Sequence, residues 1–222
     1  MSLSLDNSDR ILVVSPHPDD ESIGCGGLLS LYRGHCDVLL ATDGYREDLD
    51  NRDISDLRVR EFEKATDYLG VNNRILLHIP EGKIKGSTLQ FMKVDFKGYR
   101  YVCVPNRYES HKDHADLYKV VKQVLKKQGA SAELLEYEVW TTIRHPNIKL
   151  DISAVAEEKK KAILLHESQI KDLDYVGMIL GLNAYRGKGH GCEYAEDYYS
   201  EKKAAIKKKK DRRKRIKKII KR

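Results

Sequence analysis

Residues 11–21 read Ile11-Leu12-Val13-Val14-Ser15-Pro16-His17-Pro18-Asp19-Asp20-Glu21. Four apolar residues in a row, three of them β-branched, are the pattern of a short strand buried on both faces. Pro16 and Pro18 then stop the ladder and force an extended turn. From Glu21 to about Tyr32 the chain reads as a helix, although Gly24, Gly26 and Gly27 suit close packing or the approach of a ligand better than helix propensity.

Outward from this unit the same rhythm repeats. Asp37–Thr42 reads as a second buried strand, closed by Asp43-Gly44. Arg52–Leu69 reads as a helix with Leu57, Phe62, Ala65 and Leu69 inward and Gly70 as its C-cap. Strands are predicted at Ile75–Ile79, Tyr101–Val104 and Leu134–Ile143, and helices at Asp113 to about Lys127 and Val155 to about Glu167. No assignment is made from Gly82 to Gly98, and there is no internal repeat. Alternating strands and helices predict an α/β fold: a single Rossmann-like three-layer domain whose mostly parallel sheet carries its site at the carboxyl ends of the strands.

At 222 residues, 41% of them hydrophobic, the chain is expected to build one substantial domain. No apolar run approaches the roughly 18 residues of a membrane span, and the N-terminus lacks the pattern of a secretory signal. Cys25, Cys36, Cys103 and Cys192 form no Cys-Xaa-Xaa-Cys pair, so reduced thiols in a cytoplasmic protein are expected. The net charge of +7 divides sharply: residues 201–222 hold 14 Lys and Arg against 2 acids, and the rest holds 27 against 32. The chain is therefore read as a mildly acidic domain at 1–200 with a basic C-terminal tail at 201–222. Such a body has no nucleic-acid footprint. The tail is read as a solvated helix or, with Ile216, Ile219 and Ile220 as an apolar stripe, as a peripheral contact for anionic membrane.

Two polar clusters follow predicted strands. The first is Ser15–Glu21. The second is Glu109-Ser110-His111-Lys112-Asp113-His114, which runs into a helix. Both are dense in imidazoles and carboxylates, and two histidines with one carboxylate form a standard set for a hydrolytic zinc that keeps one position open. Zinc acidifies bound water towards neutrality, and a carboxylate left beside it can act as general base.

Pro-His-Pro-Asp-Asp-Glu after a first strand, followed by Gly24-Cys25-Gly26-Gly27, resembles the signature of the LmbE/PIG-L family of zinc-dependent N-acetyl sugar de-N-acetylases. His111-Lys112-Asp113-His114 resembles its second signature, and the similarity extends over about residues 10–199. The resemblance implies that His17, Asp20 and His114 bind the metal (zinc, with Fe2+, Co2+ or Mn2+ as alternatives) and that Asp19 is general base towards the metal-bound water. It further implies that His111 stabilises the tetrahedral intermediate or protonates the amine, that Asp113 orients the His111 ring, and that Arg58 contacts the N-acetylated sugar. One departure is Glu109, where many members carry Asp.

Other histidines receive lesser roles: His166 a hydrogen-bonded structural one, His35 and His78 strand-flank positions without polar company, and His145 and His190 loop positions able to line a pocket. Tyr185–Gly191 reads as a glycine-rich basic loop. Two rival functions are a non-haem Fe(II) oxygenase using a His₂-carboxylate triad and an inactive sugar-binding protein of the same fold.

Overall fold

A computed structural model describes residues 3, 5, 6, 8–171, 173–206 and 208. The readings made on the rest of the basic tail, including the isoleucine stripe, lie outside the described residues. Five parallel strands form the main sheet: β1 (Ile11–Ser15), β2 (Cys36–Leu40), β3 (Asn73–Leu76), β4 (Tyr101–Pro105) and β5 (Glu133–Tyr137), in the order β3-β2-β1-β4-β5. β1 lies at the centre, in register with β2 (Ile11 opposite Cys36) and with β4 (Ile11 opposite Tyr101). The chain first winds outward through β2 and β3, then crosses back to β4. The crevice beyond the ends of β1 and β4 is thus the topological switch point, where open α/β sheets place ligands.

Alternate residues of each strand feed two cores. Ile11, Val13, Val38 and Cys103 point into one, with Cys25 and Leu28 of α1 (Asp20–Leu31), Phe62 of α2 (Arg52–Leu69) and Ile163 of a later helix. Leu12, Val14, Leu39 and Val104 point into the other, with Phe91 of α3 (Thr88–Met92) and Leu117, Val121 and Val124 of α4 (Lys112–Gln128). The expected three layers are present, and Gly70 and Gly129 close α2 and α4 in the left-handed conformation. Of the stripe read on α2, Phe62, Ala65 and Leu69 are buried while Leu57 is exposed.

α1 is buried from Asp20 to Ser30. A methyl group on Gly24 would collide with the Tyr137 ring, on Gly26 with the Lys159 stem at 2.9 Å, and on Gly27 with Ile152. These glycines serve packing: they let the helix that begins at the site sit hard against its neighbours.

Several boundaries differ from the sequence reading. β3 ends at Leu76 because His78 adopts φ 50°, although Ile79 N–H still donates to Ala41 O. Residues 84–92 hold a 3₁₀ turn and α3. β5 ends at Tyr137, not Ile143: the N–H groups of Val139 and Thr141 donate to Glu109, and that of Ile143 to Glu138, so no ladder forms. The helix read to Glu167 is α5 (Ala156–Leu164). Tyr185–Gly191 is not a loop: α6 spans Tyr175–His190, with Gly191 as its left-handed cap. A two-stranded antiparallel sheet, β6 (Ile148–Asp151) with β7 (Ala195–Tyr198), was also missed. Cys25, Cys36 and Cys103 are buried and, like Cys192, free. Among the described residues no helix is long and apolar enough to cross a membrane.

Candidate metal centre

β1 and β4 bring the two clusters together at the switch point. His17 Nδ1 lies 3.2 Å from Asp20 Oδ2 and 3.3 Å from His114 Nε2, and His114 Nε2 lies 3.2 Å from Asp20 Oδ2. Donor atoms about 2.0–2.1 Å from a tetrahedral ion stand about 3.3 Å from one another. This triangle therefore has the dimensions of three ligands around one divalent ion. A looser trio, His17, His111 and His114, has donor atoms within 4.8 Å of one another. His111 thus faces the same point from farther out.

The supporting groups suit ligation. The Asp113 carboxylate lies 3.5 Å from His17 Nε2 and accepts the Gly82 N–H at 2.8 Å. A carboxylate behind a ligating imidazole fixes its tautomer and raises its basicity. Asp113 thus faces His17 across this contact, and neither His17 Nε2 nor His111 Nδ1 forms a hydrogen bond among the described residues. Behind His114, Glu109 Oε2 lies 3.9 Å from Nδ1. Glu109 also accepts the N–H groups of Val139, Trp140 and Thr141 and the Asn106 side-chain amide, so its carboxylate organises the loop after β5.

Charge in the triangle follows from burial and pairing. Burial pushes Asp20 upward, but His114 and His17 more than offset it and hold the carboxyl well below its usual range. Burial alone would lower His17; the Asp113 and Asp20 carboxylates override it and raise the imidazole to about 9. Ligation requires Nδ1 without its proton, so metal and proton compete. Apparent affinity for Zn2+ should rise about tenfold per pH unit from pH 7 to about 9 and level off above. Competition against a chromophoric chelator at several pH values checks this, and a flat profile would remove His17 from the ligand set.

Asp19 caps α1 with φ 146°, a conformation costly for a side-chain-bearing residue. Glu21 holds it there: Oε2 accepts the Asp19 N–H at 3.2 Å, while Oε1 accepts the Ser22 hydroxyl and meets His166 Nε2 at 3.0 Å. Burial and the Asp20 charge push the Asp19 carboxyl up to about 7, against the pull of Arg58. Arg58, projecting from α2, brings Nη2 to 3.8 Å from Asp19 Oδ2. Burial and the charges of His17 and His114 lower His111, which favours its neutral form.

All seven residues singled out in the sequence gather here. The fully buried Glu21–His166 pair was visible only as a motif acid and a structural histidine, because 145 positions separate its members. Tyr175 carried no signal at all. Elsewhere, His78 pairs with Asp43 at 3.1 Å and so has polar company, and His35 Nδ1 lies 3.4 Å from Asp9 O. His190 meets Asp197 at 2.7 Å, and His145 lines a cleft with Arg107, Tyr108, Arg144 and Tyr199.

Comparison with known proteins follows the same lines. Diacetylchitobiose deacetylase of Thermococcus kodakarensis is 26% identical over 219 residues, covering 84% of this chain and 81% of its own. N,N'-diacetylchitobiose deacetylase from Pyrococcus horikoshii superposes with a TM-score of 0.74 at 21% identity, over 89% of this chain and 85% of its own. The 4-carboxy-2-hydroxymuconate hydratase of Pseudomonas putida KT2440 shares the fold too, with a TM-score of 0.68 at 18% identity over 87% and 96% of the two chains. Fold alone therefore does not choose the reaction. The PIG-L family, described as GlcNAc-PI de-N-acetylase, matches residues 12–125. That span holds the whole triangle together with Asp19, Glu21, Arg58, Glu109, His111 and Asp113, and the chain belongs to the PIG-L family.

Proposed function

We propose that this protein hydrolyses the amide of an N-acetylated amino sugar or its conjugate, releasing acetate and the free amine. The observation that carries this reading is the triangle of His17, Asp20 and His114 with one further buried carboxylate, Asp19, beside it. A divalent ion held by His17 Nδ1, Asp20 Oδ2 and His114 Nε2, zinc in the first instance and Fe2+, Co2+ or Mn2+ otherwise, would acidify water and polarise the amide carbonyl. Asp19 takes the proton of the attacking water. His111 donates a hydrogen bond to the oxygen that gains negative charge, and the proton taken by Asp19 passes to the nitrogen, directly or through His111, as the C–N bond breaks. Asp113 and Glu109 keep the two ligand imidazoles in register. Arg58 steadies Asp19 and reaches towards the substrate. The same reading assigns catalysis to residues 1–200 in the cytoplasm and leaves the basic tail at 201–222 for contact with an anionic membrane surface.

Elemental analysis of gently purified protein beside His114→Ala tests the centre. About one zinc per chain is expected, falling below about a tenth in the variant, together with acetate release from N-acetylglucosamine glycosides by the parent alone. Iron with oxygen consumption would install the oxygenase in its place. A stable, metal-free chain that binds such sugars would install the inactive binder.

A further inference from the structure

The chain contains one tryptophan, Trp140, and its indole is 41% exposed. A lone exposed ring on a protein surface needs no explanation, but three observations set this one apart. Its backbone is fixed by the site: Trp140 N–H donates to Glu109 Oε2 at 3.3 Å, between two neighbours that donate to Oε1 at 3.1 Å. Its ring has a partner, Tyr175, at 5.6 Å between centroids and 60° between planes. And Tyr175 belongs to the catalytic corner, sharing a small hollow with Asp19, Ile163 and His166. The Tyr175 hydroxyl also feels the corner: burial, then the Asp19 and Asp20 charges, push it up to about 12.

The pair is rigid. Asp174 caps the helix that Tyr175 opens by accepting the Gly177 N–H, and Trp140 cannot shift without breaking the Glu109 cradle behind His114. The two rings thus stand side by side at the rim next to Asp19, with Trp140 partly exposed. A flat apolar surface of this kind suits a ligand with an apolar C–H face and a polar edge, which describes a pyranose with equatorial substituents. The edge hydroxyls would meet the Tyr175 hydroxyl and Arg58. We propose that Trp140 and Tyr175 form a stacking platform for the acetamido-bearing pyranose ring of the substrate, which makes this site selective for cyclic N-acetylhexosamines over acyclic N-acetyl amines. This inference rests on the deacetylase reading above.

The sole tryptophan reports on its own contact. Methyl N-acetyl-β-glucosaminide, titrated into the zinc-loaded full-length chain and read before turnover, should shift or quench the emission saturably. Steady-state acetate release should show KM raised roughly tenfold in Trp140→Ala with kcat changed less than about threefold, the pattern of lost uniform binding. Trp140→Phe should recover most of the loss, and the preference in kcat/KM for the glucosaminide over N-acetylethanolamine should fall roughly tenfold in Trp140→Ala. Emission that stays unchanged at sugar concentrations saturating the kinetics overturns the platform, as does a Trp140→Ala KM within twofold of the parent. If Trp140→Ala does not fold, emission and the Trp140→Phe kinetics decide. A parent that shows the saturable emission change but releases no acetate keeps the platform and overturns hydrolysis instead. Unchanged emission in a parent that releases no acetate overturns both.

Discussion

Asp19→Asn keeps its divalent ion and loses about 10²- to 10⁴-fold in the turnover of acetate release. The two halves of this expectation come from different atoms. The triangle uses His17 Nδ1, Asp20 Oδ2 and His114 Nε2, none of which belongs to Asp19, and the amide substitution leaves the Glu21 contact to the Asp19 backbone N–H intact. What disappears is a carboxylate able to take a proton. Burial and the Asp20 charge push that carboxyl up to about 7. A cation in the triangle neutralises that charge and lowers Asp19, so the loaded site holds an ionised base at neutral pH. Metal content by elemental analysis and acetate release by a coupled assay should separate in the variant. Equal turnover would take Asp19 out of the mechanism, and loss of the metal would make it a ligand.

The second large effect concerns stability. Lys159 Nζ and Glu196 Oε1 pair at 2.7 Å with side chains 1% and 2% exposed. Glu196 also accepts the N–H groups of Gly27 and Leu28 and the Tyr198 hydroxyl, so it ties α1 to β7. Lys159→Met leaves a carboxylate buried without its cation, and removing one partner of such a pair costs about 3–5 kcal/mol. For a chain of this size the midpoint of thermal unfolding should fall by about 10 °C. Adding Glu196→Gln, which removes the orphaned charge but keeps most acceptors, should restore part of the loss. Urea unfolding of the single and double variants checks both statements. A single-variant loss below about 1 kcal/mol would mean that water reaches the pair.

Legibility in the sequence followed how local each cause was. β1 and β4 were readable because strands buried on both faces must be apolar at consecutive positions. The two motifs were readable because each ligand cluster is contiguous in the chain. Residues 138–143 misled because Val139, Trp140 and Ile143 have strand-like side chains. Their backbone partners are the carboxylates of Glu109 and Glu138, which no local pattern announces. α6 was hidden by its glycines. Gly187, read as a sign of a loop, in fact permits contact with the Glu193 backbone, which a Cβ would block. β7 buries Glu196 and Asp197, an inversion of strand patterning that only the distant Lys159, His190 and Arg186 make tolerable. The Asp113 contact with His17 was hidden because spacing shows which residues share a turn, not which way a side chain leaves it.

The order of the strands separates two inheritances within one chain. The residues proposed to hold the cation and move the proton come from the turn after β1 with the start of α1, and from the start of α4. The aromatic rim comes from later sequence, after β5 and at the start of α6. The rim side chains can change without disturbing the strand ends that set the triangle, so long as the backbone of 139–141 keeps its bonds to Glu109 and Lys159 and His166 keep theirs. Lineages built on this plan are therefore free to trade one acyl-bearing partner for another while the reactive core stays put. Diversification of what is accepted should concentrate in the rim side chains at Trp140 and Tyr175, and exchanges confined to those two positions should change preference and leave the chemistry in place.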